Sequence, residues 1–303
     1  MAGLGIIIPR SGGSGPSLEI DGMLNAGSLL LVDPNHYAKP WSAGVPAHLS
    51  QIPNLASAKV AQLLGAPAVE PGVGYHSTFT LGGAINNGTK GLVERTSKGA
   101  LHGIVSQSVA LASGDGVNMT IHPDLRAYLA ANQSHRYYVS QWDRLTRANA
   151  GSMPGSAAQF TGVSAASTSS TLLALIRTDS IYQGGGGFIS DPNAFVATPG
   201  LNSAGDRFIA CGPTTDQTIV VGQTVFAGPM WGASTGTYNA AVLGTRNTFW
   251  PSFVFRRFYL EDLTVSGRTF AQARDADLAL HNAAVAAGGR YGGDTWTSPA
   301  SVA

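Results

Sequence analysis

The sequence predicts an all-β protein, an antiparallel β-sandwich with a C-terminal helix and an extended N-terminal arm. Three observations carry that expectation. From about residue 75, short apolar stretches are separated by Gly- and Pro-rich turns, a pattern of many short strands rather than βαβ units. The 303-residue chain holds 39 glycines and 16 prolines but only 12% charged residues, a neutral and turn-rich composition. The one long helical periodicity comes near the end, soon after the most aromatic strand.

Residues 1–74 stand apart. They carry half of the 16 prolines and no two-residue alternation. Proline removes an amide donor and breaks helices and central strands, so 1–74 is expected as an extended arm anchored on a domain or a neighbour. Within it, a short helix is expected over Leu55–Leu64, with Asn54 as N-cap and Gly65 as terminator. Residues 75–303 are expected as the sandwich. "YHSTFTLGG", "GLVERTS" and "LHGIVSQSVALASG" read as its first strands. A short helix starts at Pro123, a residue suited to the first helical position. In "HRYYVSQWDRLTRA", Tyr138, Ser140, Trp142 and Arg144 point one way, and Tyr137, Val139, Gln141 and Asp143 the other. "TLLALIRTDS" reads as a buried strand, Gly184–Gly187 as a turn, and "RFIACG", "DQTIVVGQTVFAG" and "TYNAAVLGTR" as further short strands.

The stretch "FVFRRFYLEDL" (253–263) closes the series. Phe253, Phe255, Arg257 and Tyr259 alternate with Val254, Arg256, Phe258 and Leu260, so both faces are apolar and the arginines fall one on each face. A buried guanidinium needs an acidic or carbonyl partner. Glu261, Asp262 or acids on adjacent strands are the candidates for structural ion pairing with Arg256 and Arg257. Thr269 and Gln272 then form a capping-box pattern. Phe270, Ala273, Ala276, Leu280, Ala283 and Ala287 make one apolar stripe, and Gly288-Gly289 ends a helix over 270–287.

The net charge of +1 offers no field for nucleic acid or an anionic membrane. No stretch approaches 18 apolar residues, so no membrane insertion is expected. "MAGLGIIIPRSGGSG" has too short an apolar run, and no basic lead, for a secretory signal. Cys211, the single cysteine, excludes an internal disulfide and a cysteine zinc site. The seven histidines show no metal-ligand spacing, and no metal or cofactor is expected. "GGAINNGTKG" (82–91) has Thr89 before Lys90, the wrong order for a phosphate loop, and Asn87-Gly88 reads as a turn. "GASTG" (232–236) lacks the strand-to-helix setting of a nucleophile elbow, so Ser234 is not expected as a nucleophile. The four glutamates, Glu19, Glu70, Glu94 and Glu261, form no acidic series of the kind a glycosidase uses, and no enzyme is expected. Charge this sparse leaves little solvating surface for a free monomer. Cover by partner chains is one reading, and a Ser/Thr/Asn/Gln-rich surface is the other. Exposed indoles stack on sugars; Trp231 and Trp250, in turn-rich segments, are the candidates for glycan binding, with Trp142 assigned to the core.

The segment "FYLEDLTVSGRTFAQARDADLALHNAAVAAGGRYGGDTW", with "WDRLTR" and "LGTRNT", resembles the C-terminal part of tailed-bacteriophage virion structural proteins. The resemblance spans roughly residues 75–297. It implies a concanavalin A-like, laminin-G-like jelly roll and a place in the virion, assembled in the host cytoplasm, and it carries over no catalytic residue. The expected function is a virion structural protein of the tail, fibre or baseplate. It would form a homo-oligomer and dock on other virion proteins through the N-terminal arm, with a host surface glycan as candidate ligand. The alternatives are a capsid decoration protein or a carbohydrate-binding module; the missing carboxylate pattern disfavours a glycan-cleaving one.

Overall fold

A computed structural model describes residues 20–112, 114–150, 156–163, 170–177, 181–183, 187–188, 195–212, 224–232 and 250–303. The expected strand over "TYNAAVLGTR", Ser234, most of the tetraglycine turn and the first 19 residues of the expected arm lie outside them.

The described chain is mostly β, in two antiparallel sheets. One sheet runs β12 (Phe195–Thr198), β13 (Gly205–Cys211), β7 (Tyr137–Arg147), β16 (Ser252–Asp262), β5 (Leu101–Val105) and β4 (Gly91–Arg95), with β1 (Ser28–Val32) also on β16. The other runs β11 (Gly187–Phe188), β10 (Ile181–Gln183), β9 (Ser170–Arg177), β8 (Ser156–Val163), β14 (Thr224–Pro229), β6 (Gly116–Thr120), β3 (Ser77–Gly82) and β2 (Ser50–Ile52), with β15 (Trp231–Gly232) on β6. The helices are α1 (Ser57–Leu63), α2 (Pro123–Ala131), the single turn α3 (Leu263–Ser266) and the C-terminal helix α4 (Phe270–Val285).

Strand β16 is the centre of the first sheet because it carries large side chains on both faces. All 11 of its residues are buried. β7 lines one side of it; β5 and β1 share the other, opposite Phe253–Phe255 and Phe258–Glu261 respectively. Its inner face places Phe253, Phe255, Phe258 and Leu260 in one core cluster with Phe79, Val117, Met119 and Trp231 of the second sheet. The Trp231 ring stacks on Phe253, with centroids 4.5 Å apart and planes at 19°, in the offset geometry aromatic pairs favour. Its outer face meets a third layer. Tyr138, Trp142, Phe208, Val254 and Tyr259 pack there with Phe270, Ala273, Ala284 and Tyr291.

Several expectations hold at the local level. Thr269 and Gln272 form the capping box. Pro123 opens α2, and Gly65 ends α1 with φ +64°. Asn87 Oδ1 accepts from the N–H groups of Thr89 and Lys90, a turn and not a phosphate cradle.

Others are corrected. The boundary at residue 74 does not divide an arm from a sandwich: within the described part of 1–74, β1 belongs to one sheet and β2 to the other. Leu29–Val32 are fully buried, because an apolar run beside an open half of β16 completes its ladder. Asn54 does not cap α1. Its Oδ1 accepts from Leu31 N–H and Ala56 N–H and its amide donates to Leu29 O, stitching the chain to β1. The two arginines of β16 do not take opposite faces. The β16–β7 register shifts between Phe255 and Arg257, and a bulge of one residue reverses every side chain beyond it. Val254, Arg256, Arg257 and Tyr259 therefore share the outer side, where both guanidinium groups meet Tyr291 or Trp142. The buried face of α4 is also rotated: Phe270, Ala273, Asp277, His281 and Ala284 are buried, while Ala283 and Ala287 are exposed. The surface beneath that helix offers hydroxyl and indole donors, and Asp277 supplies the acceptor.

Candidate functional site

The residues singled out in the sequence reach two different places. Trp231 is 1% exposed and Trp250 is 3% exposed, so neither offers a ring face to a sugar. Turn-rich flanks misplaced them; Trp231 fills the space over Gly103, where a Cβ would lie 2.4 Å from the indole. Arg256, Arg257 and Glu261 belong to a polar layer on the outer face of the first sheet, with partners other than those expected, while Asp262 lies at the strand's end on the other side. Arg257 donates to both oxygens of Asp21, at 2.7 and 2.9 Å. Arg256 pairs with Asp206, which also holds Arg144. Glu261 takes Arg268. Asp262 caps α3 through Thr264 and Val265 N–H, and its other oxygen meets Tyr128 Oη and His135 Nδ1, each at 2.6 Å.

Sequence reasoning missed the acids that complete this layer. Burial raises the Asp21 carboxyl, but the Arg257 charge and the His36 hydrogen bond overcome it and hold the group far below the usual carboxylate range. Ala38 N–H donates to His36 Nδ1, which leaves the proton on Nε2, facing Asp21. Asp277 accepts from Tyr138 Oη, Ser140 Oγ and Trp142 Nε1. Complete burial still lifts its carboxyl, against the pull of Arg257. Asp33 accepts from Tyr291 Oη and Arg290. The Arg257 guanidinium, held at its two terminal nitrogens and with its centre 4.4 Å from the Trp142 indole, is a rigid spacer.

This layer sets a pH dependence. Burial lowers the imidazoles of His102 and His281 below the free value of 6.5. Between the folded and free values the unfolded chain binds more protons, so stability rises with pH and is lost as pH falls below 6.5. Asp277 shifts the other way and offsets part of the loss. The midpoint of urea unfolding is expected to drop between pH 7 and pH 5, and to drop less in His281→Phe. A midpoint that rises with acidification contradicts this ordering.

Residues 36–53 and 70–76 form one exposed flank of the molecule. Tyr37, Leu49 and Val73, at 74%, 63% and 43% exposed, are the exposed large hydrophobic side chains among the described residues. Tyr37 is fixed rather than loose: its ring stacks on His36 at 4.6 Å and its hydroxyl donates to Ile20 O. It rims a cleft of about 370 Å³ whose floor is Arg257 and Trp142 and whose far wall is Leu280, Ala283 and Arg290. Further along, a cleft of about 340 Å³ lies between the loop Lys39–Ala47 and β2, walled by Pro40, Pro46 and Pro53. The Lys39 stem lies beside Gly72, next to Val73, where a Cβ would come 2.8 Å from Lys39 Cγ. Leu49 holds φ +62°, a conformation costly for any residue with a Cβ. Its N–H donates to Phe79 O at 2.8 Å. Prolines and a hydrogen-bonded turn thus present apolar side chains outward on a stiff rim.

Among the described residues no group of three or more His, Cys, Asp or Glu side chains is placed to hold a metal ion, and no helix is long and apolar enough to cross a membrane. The Cys211 thiol is buried, and burial pushes it up to about 12. No protein-family model, curated protein or solved structure matches the chain.

Proposed function

We propose that this chain is a structural protein of a tailed-bacteriophage particle, of the tail, fibre or baseplate. Its two sheets are read as a concanavalin A-like jelly roll, and its role as assembly rather than catalysis. The observation that carries the reading is the apolar flank. The exposed large hydrophobic side chains described all come from residues 37–73, the stretch whose proline content marks it for docking. Charge supports it. Of 18 Lys and Arg and 17 Asp and Glu, at least ten are buried in the described core, so an already charge-poor surface is poorer still. Such a surface favours cover by neighbouring chains. The resemblance of residues 258–296 to virion proteins points to the same setting. Burial of Trp231 and Trp250 removes the candidate sugar platforms, so glycan contact is not part of this proposal.

The test is incorporation. Particles are purified from cells in which the wild-type copy is replaced by Tyr37→Ser/Leu49→Lys/Val73→Lys. All three positions are exposed, so the variant is expected to fold, remain soluble and be missing from particles. Incorporation at the wild-type level contradicts docking through this flank.

A further inference from the structure

We propose that the cleft between Tyr37 and α4 is a binding site for a small acid, a carboxylate on a compact apolar body. The hydrogen-bond donors of the cleft carry the assignment, because nearly all of those on its lining side chains are committed within the chain. Tyr37 Oη donates to Ile20 O, and His36 Nε2 faces Asp21. Both terminal nitrogens of Arg257 are on Asp21, and Trp142 Nε1 donates to Asp277. Asp21, the one acid lining the cleft, is buried with both oxygens taken. Arg290 is the exception. Its Nη2 donates to Asp33 and its Nε is buried, but among the described residues Nη1 makes no hydrogen bond. Its side chain is 25% exposed, whereas Asp21 and Arg257 are buried, so Arg290 is the charge a ligand meets. The guanidinium is also held in place, its centre 5.6 Å from the Trp142 ring and 5.3 Å from the Tyr291 ring.

The remaining walls are apolar, from Ile20, Tyr37, Leu280 and Ala283. A single cationic donor in an apolar cleft of about 370 Å³ suits a ligand with one anionic end. A sugar would bring a ring of hydroxyls to one free side-chain donor and gain little over water. Asp33 offsets part of the Arg290 charge, so a singly charged carboxylate is matched better than a phosphate. Tyr37 is a platform fixed before binding, stacked on His36, so little side-chain freedom is lost there. Binding in the millimolar range is expected for a probe that small. The site is independent of the docking role, and its failure would leave that role untouched.

Saturation-transfer difference NMR on the full chain tests this, with phenylacetate as probe and phenylacetamide as its uncharged counterpart. A signal from phenylacetate and little from phenylacetamide is expected. Ala283→Glu is the discriminating variant. Ala283 is exposed on α4 and glutamate is a good helix former, so the fold is kept. The new carboxylate repels that of the probe and competes for Arg290, and the dissociation constant for phenylacetate is expected to rise about tenfold or more. Ala283→Lys is expected to keep or tighten binding. N-acetylphenylalanine, titrated alongside, separates two sources of the same chemistry. Preference for it assigns the site to the C-terminal carboxylate of another chain, and preference for phenylacetate assigns it to a free acid. Silence from both acids overturns the proposal. So does an equal signal from the amide, or equal affinity in the two Ala283 variants.

Discussion

Asp21→Ala is expected to destabilise the fold by about 3–5 kcal/mol, the usual cost of leaving a buried charge without its partner. Arg257 is fully buried and spends two guanidinium nitrogens on Asp21. Its next carboxylate, Asp277, stands 3.9 Å from Nε, too far for a hydrogen bond. Asp277 is already engaged by three donors. With Asp21 removed, the guanidinium keeps the Trp142 ring at 4.4 Å and has no carboxylate within hydrogen-bond distance. His36 loses its acceptor as well. The double variant Asp21→Leu/Arg257→Met removes both charges and is expected to recover most of the loss, because a buried ion pair exchanged for apolar groups of similar size is close to neutral. Urea unfolding of the two singles and the double gives the coupling directly. Simple additivity of the singles would mean that the pair is not coupled.

Gly103→Ala is expected to cost about 2–3 kcal/mol, a large effect for one methyl group. The added Cβ would lie 2.4–2.5 Å from three atoms of the Trp231 indole. That ring cannot retreat, because Phe253 stacks on it at 4.5 Å. Gly103 faces Phe253 in the ladder as well, so the strand cannot shift outward without breaking register. The same substitution in a Trp231→Ala background is expected to cost well under 1 kcal/mol, since the clashing atoms are gone. An equal cost in both backgrounds would place the damage in the backbone instead of the ring contact.

These two sites show where the sequence was legible. Local chemistry was readable because its causes lie within a few residues: the capping box at Thr269 and Gln272, Pro123 at a helix start, and the Asn87 turn. The faces of β7 were readable too. Tyr138 and Trp142 lie on the helix side and Tyr137 and Val139 in the core, as two-residue alternation requires. Alternation failed in β16 because a bulge at Arg256 leaves no local mark in an aromatic run. The stripe on α4 misled for a related reason. Alanine is compatible with either face, so the register is set by what lies below, and Tyr138, Ser140 and Trp142 call for Asp277. The partner of Arg257 was beyond reach, being 236 residues away. The tryptophans were misplaced because a turn-rich sequence context says little about which way a single large ring points. The first 74 residues were divided from the rest on proline content. Proline forbids strands where it stands and says nothing of the apolar runs between, and Leu29–Val32 is such a run.

The central claim, that this chain is a part of a virus particle, is tested most directly by immunogold electron microscopy of purified particles with an antibody against residues 75–303. The account predicts gold on the particle, concentrated at the tail or its distal end. Gold spread over the head would move the assignment from tail to capsid decoration. Particles that carry no gold, while the same preparation contains the free protein, would contradict the claim.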